Sequence, residues 1–473
     1  MGVAKFFYEQ VISRLAYEAT PCQKEMLIQA VDFIFSSGDD DILVVNGYAG
    51  TGKTSAMSIL INVLKDNSIP VVLLAPTGRA AKVFSLYSGL PAQTIHKYIY
   101  RQKSVAEDGF GNFSLFVNKL KNAIFVVDEA SLIGVDSYQN TGNFGSGNLL
   151  EDLIRFVKNG LGCKLILIGD SAQLPPVGMD SSPALSKDYM RFAGNAKFVG
   201  LNTVVRQKLK SGILENATNI RNKIENQDFF SLCLNVQEHL DIERVAGGEL
   251  KDKIEEAYAH YGDDETIILC RSNKRANRYN HFIRGAIQFK EEQLLRDDKL
   301  MIVKNCYQFL EGLENIPYIA NGDVACLQKI SKFEQRYGLN FAQARISLPD
   351  YDDQEIVVKV ILDTLDSESA SLTYEQQNRL YAEVNEDYGH ITSKKDRYKS
   401  VREDKYLNAL QLKYAYAITC HKSQGGQWKC VFIDNPFWQE DFTEDDFRWL
   451  YTAITRGVEK VYLVNFKDEY FVE

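Results

Sequence analysis

Residues Gly47-Tyr48-Ala49-Gly50-Thr51-Gly52-Lys53-Thr54 lie between the apolar run Ile42 to Asn46 and the amphipathic run Thr54 to Asp66. Glycines at 47, 50 and 52 let backbone N–H groups wrap an anion, and the helix that follows adds the positive end of its dipole. In such a cradle Lys53 reaches the β- and γ-phosphates of a nucleotide and the Thr54 hydroxyl ligates Mg²⁺. A plain glycine-rich strand-to-helix turn has no need of a lysine followed by a threonine. Phosphoryl transfer also needs a carboxylate for the metal and a group that orients water. Asp128-Glu129, directly after the apolar run Ala123 to Val127, supplies both, with Asp128 on the metal and Glu129 as the water-activating base.

These residues need strands and helices to hold them. Ile42 to Asn46, Val71 to Ala75, Ala123 to Val127 and Lys164 to Ile168 are short, apolar and rich in β-branched residues, as buried parallel strands are. Between them lie helical patterns such as Met57, Leu60, Ile61 and Leu64. That alternation predicts an α/β domain over residues 1–200. Thr266 to Cys270, Cys430 to Ile433 and Lys460 to Val464 repeat the signal, so a second α/β domain is expected from two pieces, 201–296 and 408–473. The stretch 297–407 between them reads as a small β insertion, with runs at Leu300 to Val303, Val324 to Gln328, Arg345 to Leu348 and Glu355 to Leu362, followed by a charged, Tyr-rich arm from Tyr374 to Tyr406. A β-hairpin is expected within about 97–120, where Asp108-Gly109 and Gly111-Asn112 supply turn residues among Phe110, Phe113 and Phe116.

The chain has 473 residues, with 54 Lys and Arg against 63 Asp and Glu, a net charge of −9. That balance excludes binding of polyanions by bulk basicity but leaves room for a local basic groove. The window Arg271 to Lys290 is such a candidate, with Arg271, Lys274, Arg275, Arg278, Arg284 and Lys290 and no acid. The apolar runs are strand-length, far short of the roughly 20 residues of a membrane helix, and the N-terminus has no secretory signal, so a cytoplasmic protein with no membrane partner is expected. The eight cysteines show no metal spacing and read as reduced, buried small hydrophobes.

The strand Lys164 to Ile168 runs into Gly169-Asp170-Ser171-Ala172-Gln173-Leu174-Pro175-Pro176-Val177-Gly178, which resembles motif III of superfamily 1 helicases in its RecD-like and Dda-like form, superfamily 1B. Other motifs of that family follow in order. Thr20-Pro21-Cys22-Gln23 resembles the Q motif, Ala75 to Ala81 motif Ia, Thr94-Ile95-His96 motif Ib, Arg206-Gln207 motif IV, Thr419 to Gly425 motif V, and Tyr451 to Arg456 motif VI. The resemblance spans about Thr20 to Gly457. It implies two RecA-like parallel-sheet P-loop NTPase domains carrying a β-hairpin insertion and an SH3-like β insertion. It implies ATP and Mg²⁺ as cofactors, with Gln23 on the adenine edge and Gly425 and Gln427 beside the nucleotide, although many members carry an acidic residue where this chain has Gln427. Lys53, Glu129, Gln173, Arg206 and Arg456 would surround the γ-phosphate, the arginines neutralising charge in the transition state.

The resemblance further implies single-stranded DNA and its junctions with duplex as substrate, translocation from 5′ to 3′, and a monomer working beside single-strand-binding, repair or replication proteins. Pro76, Thr77, His96, Asn273, Lys274, Thr419 and His421 would line the strand's path, and Phe110 or Phe113 would tip a strand-separating pin. The SH3-like insertion, which holds Asn321-Gly322-Asp323, would close over the DNA. Two other readings remain open from the residues: a superfamily 1 RNA helicase or single-strand nucleic-acid translocase, and a non-unwinding ATP-gated clamp on DNA.

Overall fold

The computed structural model describes residues 2–35, 41–105, 111–135, 145–203, 211–306, 308–309, 319–439 and 441–472. Helices α1 (Val3–Arg14) and α2 (Pro21–Phe35) lead into β1 (Ile42–Gly47), α3 (Lys53–Asp66), β2 (Val71–Ala75), α4 (Gly78–Ser88), β3 (Ala92–Thr94) and α5 (Ile95–Ile99). A hairpin of β4 (Tyr100–Val105) and β5 (Gly111–Leu115) follows, then β6 (Ile124–Val127), α6 (Leu149–Lys158), β7 (Lys164–Gly169), α7 (Lys187–Ala193) and β8 (Ala196–Leu201). Six strands pair in parallel in the order β3-β2-β6-β7-β1-β8. Helices cover both faces, which is why Ile42 to Val45 and Ile124 to Val127 are apolar and buried without alternation. With β1 between β7 and β8 and β6 beside β7, the loops after β1, β6 and β7 open on one edge of the sheet.

The second domain begins with α8 (Gly212–Asn226), β9 (Ile242–Val245), α9 (Leu250–Tyr261), β10 (Thr266–Cys270) and α10 (Asn273–Phe282). The chain then leaves it for β11 (Lys299–Ile302), β12 (Val324–Arg336), β13 (Leu339–Leu348), β14 (Gln354–Ile361), α11 (Tyr374–Asp387), α12 (Lys394–Arg402) and β15 (Leu410–Tyr414). It returns through β16 (Ala417–Thr419), α13 (Cys420–Ser423), β17 (Trp428–Asp434), α14 (Glu444–Ile454) and β18 (Gly457–Val464). The second sheet, β16-β10-β17-β18-β9, is also parallel.

Strands β11 to β15 close into a small barrel, β15 pairing antiparallel with β11 and parallel with β14. The sequence reading ends the insertion at 407, whereas the barrel's closing strand runs to Tyr414. Leu410 to Tyr414 alternates apolar and polar residues, Leu-Gln-Leu-Lys-Tyr, and closing the barrel buries every one of them. The Tyr-rich arm is a pair of helices, with Thr373 and Gln376 forming a capping box at the start of α11. Leu380, Val384, Val401 and Tyr406 pack it onto Phe341 and Ile361 of the barrel. All eight cysteines are free, and Cys233 is exposed rather than buried.

Candidate functional site

The P-loop is shaped by its glycines. Gly50 and Gly52 adopt φ of 73° and 70°, the left-handed region that side chains disfavour, and Gly52 is the N-cap from which α3 starts. Lys53 Nζ donates to the Tyr48 carbonyl at 3.5 Å, and Thr54 Oγ1 donates to Asp128 Oδ2 at 3.1 Å. The structure thus joins the P-loop to the end of β6, as the motifs require. Burial first, and then the charge of Glu129, pushes the Asp128 carboxyl up to about 6, while Lys53 opposes the shift. A buried carboxylate with an adjacent hydroxyl and an uncompensated charge fits a hard divalent cation. Glu129 holds φ of 53°, uncommon for a non-glycine residue, and its Oε2 is buried without a hydrogen-bond partner among the described residues. Gln173 Oε1 is in the same position.

Gln23 is placed differently from a residue that reads adenine. It is fully buried, its Nε2 donates to the Thr51 carbonyl at 2.9 Å, and its Oε1 accepts the Thr20 N–H at 3.0 Å. In this arrangement it braces the P-loop from behind. Arg456 is buried too, with Nε donating to the Thr452 carbonyl and Nη1 to the Gly426 carbonyl, both at 3.1 Å. It ties motif VI to motif V inside the second domain. Arg206 lies outside the described residues. Gln427 is exposed and accepts from the Tyr87 hydroxyl at 3.5 Å. Gly425, with φ of 75°, packs so closely on α4 that a Cβ there would stand 2.8 Å from Ala80 Cβ.

Sequence reasoning missed the groups that join the domains. Asn46 and Ser171 exchange two hydrogen bonds, at 2.8 and 3.0 Å, linking β1 to the loop after β7. From the second domain, Thr452 Oγ1 accepts the Leu174 N–H at 2.8 Å and Gln424 Nε2 donates to the Leu174 carbonyl at 2.8 Å. The Tyr451 hydroxyl bonds Asp170 Oδ2 and the Ala49 N–H, and Arg448 donates to the Ser171 and Gln173 carbonyls. Ala172 and Leu174 are buried in the second domain's core. Tyr48 of the P-loop hydrogen-bonds Glu225 of α8 and lies under the Arg221 guanidinium, 4.6 Å from the ring centre. The available signal was the spacing of Arg448, Tyr451 and Thr452 at i, i+3 and i+4 on one helix.

On the opposite side, Thr77 caps α4, its Oγ1 accepting the Ala80 N–H at 3.2 Å, with Pro76 just before it. His96 is partly buried in α5, and desolvation pulls its imidazole down to about 4. Thr419 ends β16 and His421 sits in α13, its imidazole also lowered by burial. Asn273 opens α10, and Lys274 ion-pairs with Glu368 of the insertion at 3.0 Å. The basic window is largely spent in such pairs: Arg271 with Asp445, Arg275 with Asp434, and Arg284 and Lys290 with Asp298. Acids distant in sequence neutralise it, which a window of sequence cannot reveal. Phe110 lies outside the described residues, and Phe113 falls in β5 opposite Gln102. A cavity of about 240 Å³ separates α4 and α5 from the barrel, lined by Lys82, Gln93, Lys97, Asp323 and Tyr351 among others.

A P-loop at the seam of two parallel sheets, held from the second sheet by residues of Thr419 to Gly425 and Tyr451 to Arg456, defines a two-domain RecA-like fold with a small barrel inserted in its second domain. Residues 23–231 match the family described as AAA domain, and residues 414–464 match the UvrD-like helicase C-terminal domain. The chain is 28% identical to the ATP-dependent RecD2 DNA helicase of Deinococcus radiodurans over 37% of this chain and 21% of that protein. It is 23% identical to the ATP-dependent DNA helicase Dda of Enterobacteria phage T4 over 89% of this chain and 94% of Dda. A Bacteroides Pif1 helicase crystallised with ADP-AlF3 and single-stranded DNA aligns with a TM-score of 0.49 and 14% identity, covering 97% of this chain and 95% of that one. The chain spans 36% and 21% of the lengths of the first two curated relatives it matches. The two family models and the two helicase relatives support the resemblance to the RecD- and Dda-like helicases of superfamily 1B. Among the described residues no helix is long and apolar enough to cross a membrane.

Proposed function

We propose that the chain is a DNA helicase that hydrolyses ATP with Mg²⁺, moves 5′ to 3′ along single-stranded DNA and separates duplex at the junction. The observation that carries the reading is the pair of buried oxygens without partners among the described residues, Glu129 Oε2 and Gln173 Oε1, on the loops beside the P-loop. Such oxygens cost about 1–3 kcal/mol each if nothing bonds them. Both are acceptors, and the nucleophile of hydrolysis is a water with two O–H donors. The P-loop amides, Lys53 and Thr54 would hold the nucleotide, and Thr54 with Asp128 would hold Mg²⁺, which when bound neutralises charge on the β- and γ-phosphates.

Arg206 is the proposed transition-state arginine from the second domain. Arg456 would join it only by releasing the Gly426 carbonyl, a rearrangement that fits a cycle of closing and opening. Pro76, Thr77, His96, Thr419 and His421 would line the strand's path, and Phe110 or Phe113 would form the pin. RecD2 and Dda are ATP-dependent DNA helicases, which supports the reading, as does the motif order. A cytoplasmic monomer acting beside single-strand-binding or repair proteins completes the proposal.

The test is strand separation of duplexes carrying a 5′ or a 3′ single-stranded tail, with ATP and Mg²⁺. Unwinding from the 5′ tail alone is expected, and Lys53→Ala should abolish it together with DNA-stimulated hydrolysis. Unwinding from the 3′ tail alone would reverse the direction. Greater stimulation by RNA than by matched DNA would move the chain to the RNA reading, and hydrolysis without unwinding would make it a translocase or clamp.

A further inference from the structure

Helix α14 presents Arg448, Tyr451 and Thr452 on one face, and all of them touch the loop after β7 or the P-loop. Arg448 and Thr452 bond main-chain groups of that loop. Tyr451 does more, because its hydroxyl bonds both halves of the ATP site at once. An N–H can only donate, so the phenol oxygen must accept from Ala49 at 2.9 Å, and its single proton then goes to Asp170 Oδ2 at 2.8 Å. Burial, reinforced by the Asp170 charge, pushes the phenol well above its ordinary value, which keeps that proton in place.

The other oxygen of Asp170 accepts the Ala172 N–H at 3.0 Å, and the Asp170 carbonyl accepts the Gln173 N–H at 3.3 Å. One carboxylate therefore shapes the turn on which Gln173 rides. Tyr451 and Asp170 are both almost fully buried, so these bonds form in a low dielectric where their geometry is strict. Packing does not require the hydroxyl, since a phenylalanine would fill the same buried space.

We propose that Tyr451 is a positioning residue of the ATPase. Its hydroxyl sets the spacing between the P-loop and the Gln173 turn, and it can do so only while the second domain is closed on the first. The inference rests on the ATPase reading above. It makes domain closure a condition for placing Gln173, and hence for hydrolysis, without Tyr451 touching the nucleotide.

The test is Tyr451→Phe in the full chain, read by DNA-stimulated ATP turnover and by binding of a fluorescent ADP analogue. The expected result is a fall in kcat of roughly 10- to 100-fold with the analogue's Kd within about 3-fold of the parent, because Lys53, Thr54 and the loop amides other than Ala49 make no bond to the Tyr451 hydroxyl. Asp170→Asn provides a second entry to the same network, and the double variant should be no slower than the slower single variant. An unchanged kcat in Tyr451→Phe overturns the proposal. So does a loss of kcat matched by an equal loss of nucleotide affinity, which marks a merely structural role, or full additivity of the two substitutions. If the parent chain hydrolyses no ATP on single-stranded DNA, the ATPase reading fails instead, and the parent alone reveals it.

Discussion

The first domain meets the rest of the chain along two seams of opposite construction. On the nucleotide side, Ser171, Leu174 and Ala49 give main-chain groups to Arg448, Gln424, Thr452 and Tyr451. On the barrel side, α4 and α5 face Asp323 and Tyr351 across a cavity of about 240 Å³, large enough for several waters. Asp323 is itself fixed, its Oδ2 accepting the Ala320 N–H at 2.7 Å and the Tyr351 hydroxyl at 2.9 Å. A dry seam of strict hydrogen bonds has two discrete states, made or broken, and can transmit a chemical event. A seam built around a cavity, crossed by the exposed bond from Lys82 Nζ to the Pro349 carbonyl at 3.4 Å, can admit a charged chain between its walls at little cost in hydrogen bonds. In the proposed helicase, the first seam reports the state of ATP and the second receives the strand.

The largest expected effect comes from wedging the dry seam open. Gly425→Val places a β-branched side chain at φ of 75° and its Cβ 2.8 Å from Ala80 Cβ, so α4 and motif V cannot meet. The overpacking against α4 opposes closure by about 3 kcal/mol. DNA-stimulated hydrolysis and strand separation should fall roughly 100-fold with far-UV circular dichroism unchanged. Turnover within a few-fold of the parent would show that this contact plays no part in the working cycle.

A smaller effect, of opposite sign, is expected at the barrel seam. A Cβ on Gly78, the first residue of α4, would stand 2.8 Å from Asp323 Oδ1, so the carboxylate occupies the positive end of that helix. A phosphate entering the seam must share that end. Asp323→Asn keeps an acceptor for Ala320 and Tyr351 but removes the charge. Affinity for a labelled oligothymidine should tighten about 5-fold in low salt, worth about 1 kcal/mol, and the gain should fade in high salt. Fluorescence anisotropy in both salts checks it. An unchanged affinity in low salt would take the barrel seam out of the strand's path.

What the sequence made legible follows the same division. The P-loop, Asp128-Glu129 and the strands that carry them are local patterns, and the structure brings Lys53, Thr54, Asp128 and Glu129 together. The seams are not local. Gln424 and Leu174 are 250 positions apart, and nothing near either residue announces the partner. Arg271 to Lys290 looked like a basic groove because the acids that neutralise it, Asp298, Asp434 and Asp445, lie outside the window. Gln23 was expected to face adenine by resemblance, whereas burial and two internal hydrogen bonds turn it toward Thr51 and Thr20. The boundary at 407 falls short of the barrel's last strand, Leu410 to Tyr414, whose pairing with β11 joins residues more than 100 positions apart.

The smallest expected effect tests how the open seam holds its charge. His96 lies beside Thr94 and Lys97, which line the cavity, and desolvation lowers its imidazole to about 4. An unfolded histidine titrates near 6.5, so between about pH 6.5 and 4 the unfolded chain takes up a proton that the folded chain refuses. The neutral ring's contribution to stability is therefore complete above pH 6.5 and is lost as the pH falls through that window. Partial exposure holds the loss to about 1–2 kcal/mol at pH 5. His96→Gln carries no such proton, so lowering the pH from 7 to 5 should depress the Tm of the parent more than that of the variant. Equal shifts would mean that folded His96 takes up its proton as readily as the unfolded chain does. Its contact with a strand would then turn ionic below about pH 6.5, adding an imidazolium to the Lys82 and Lys97 that line the open seam.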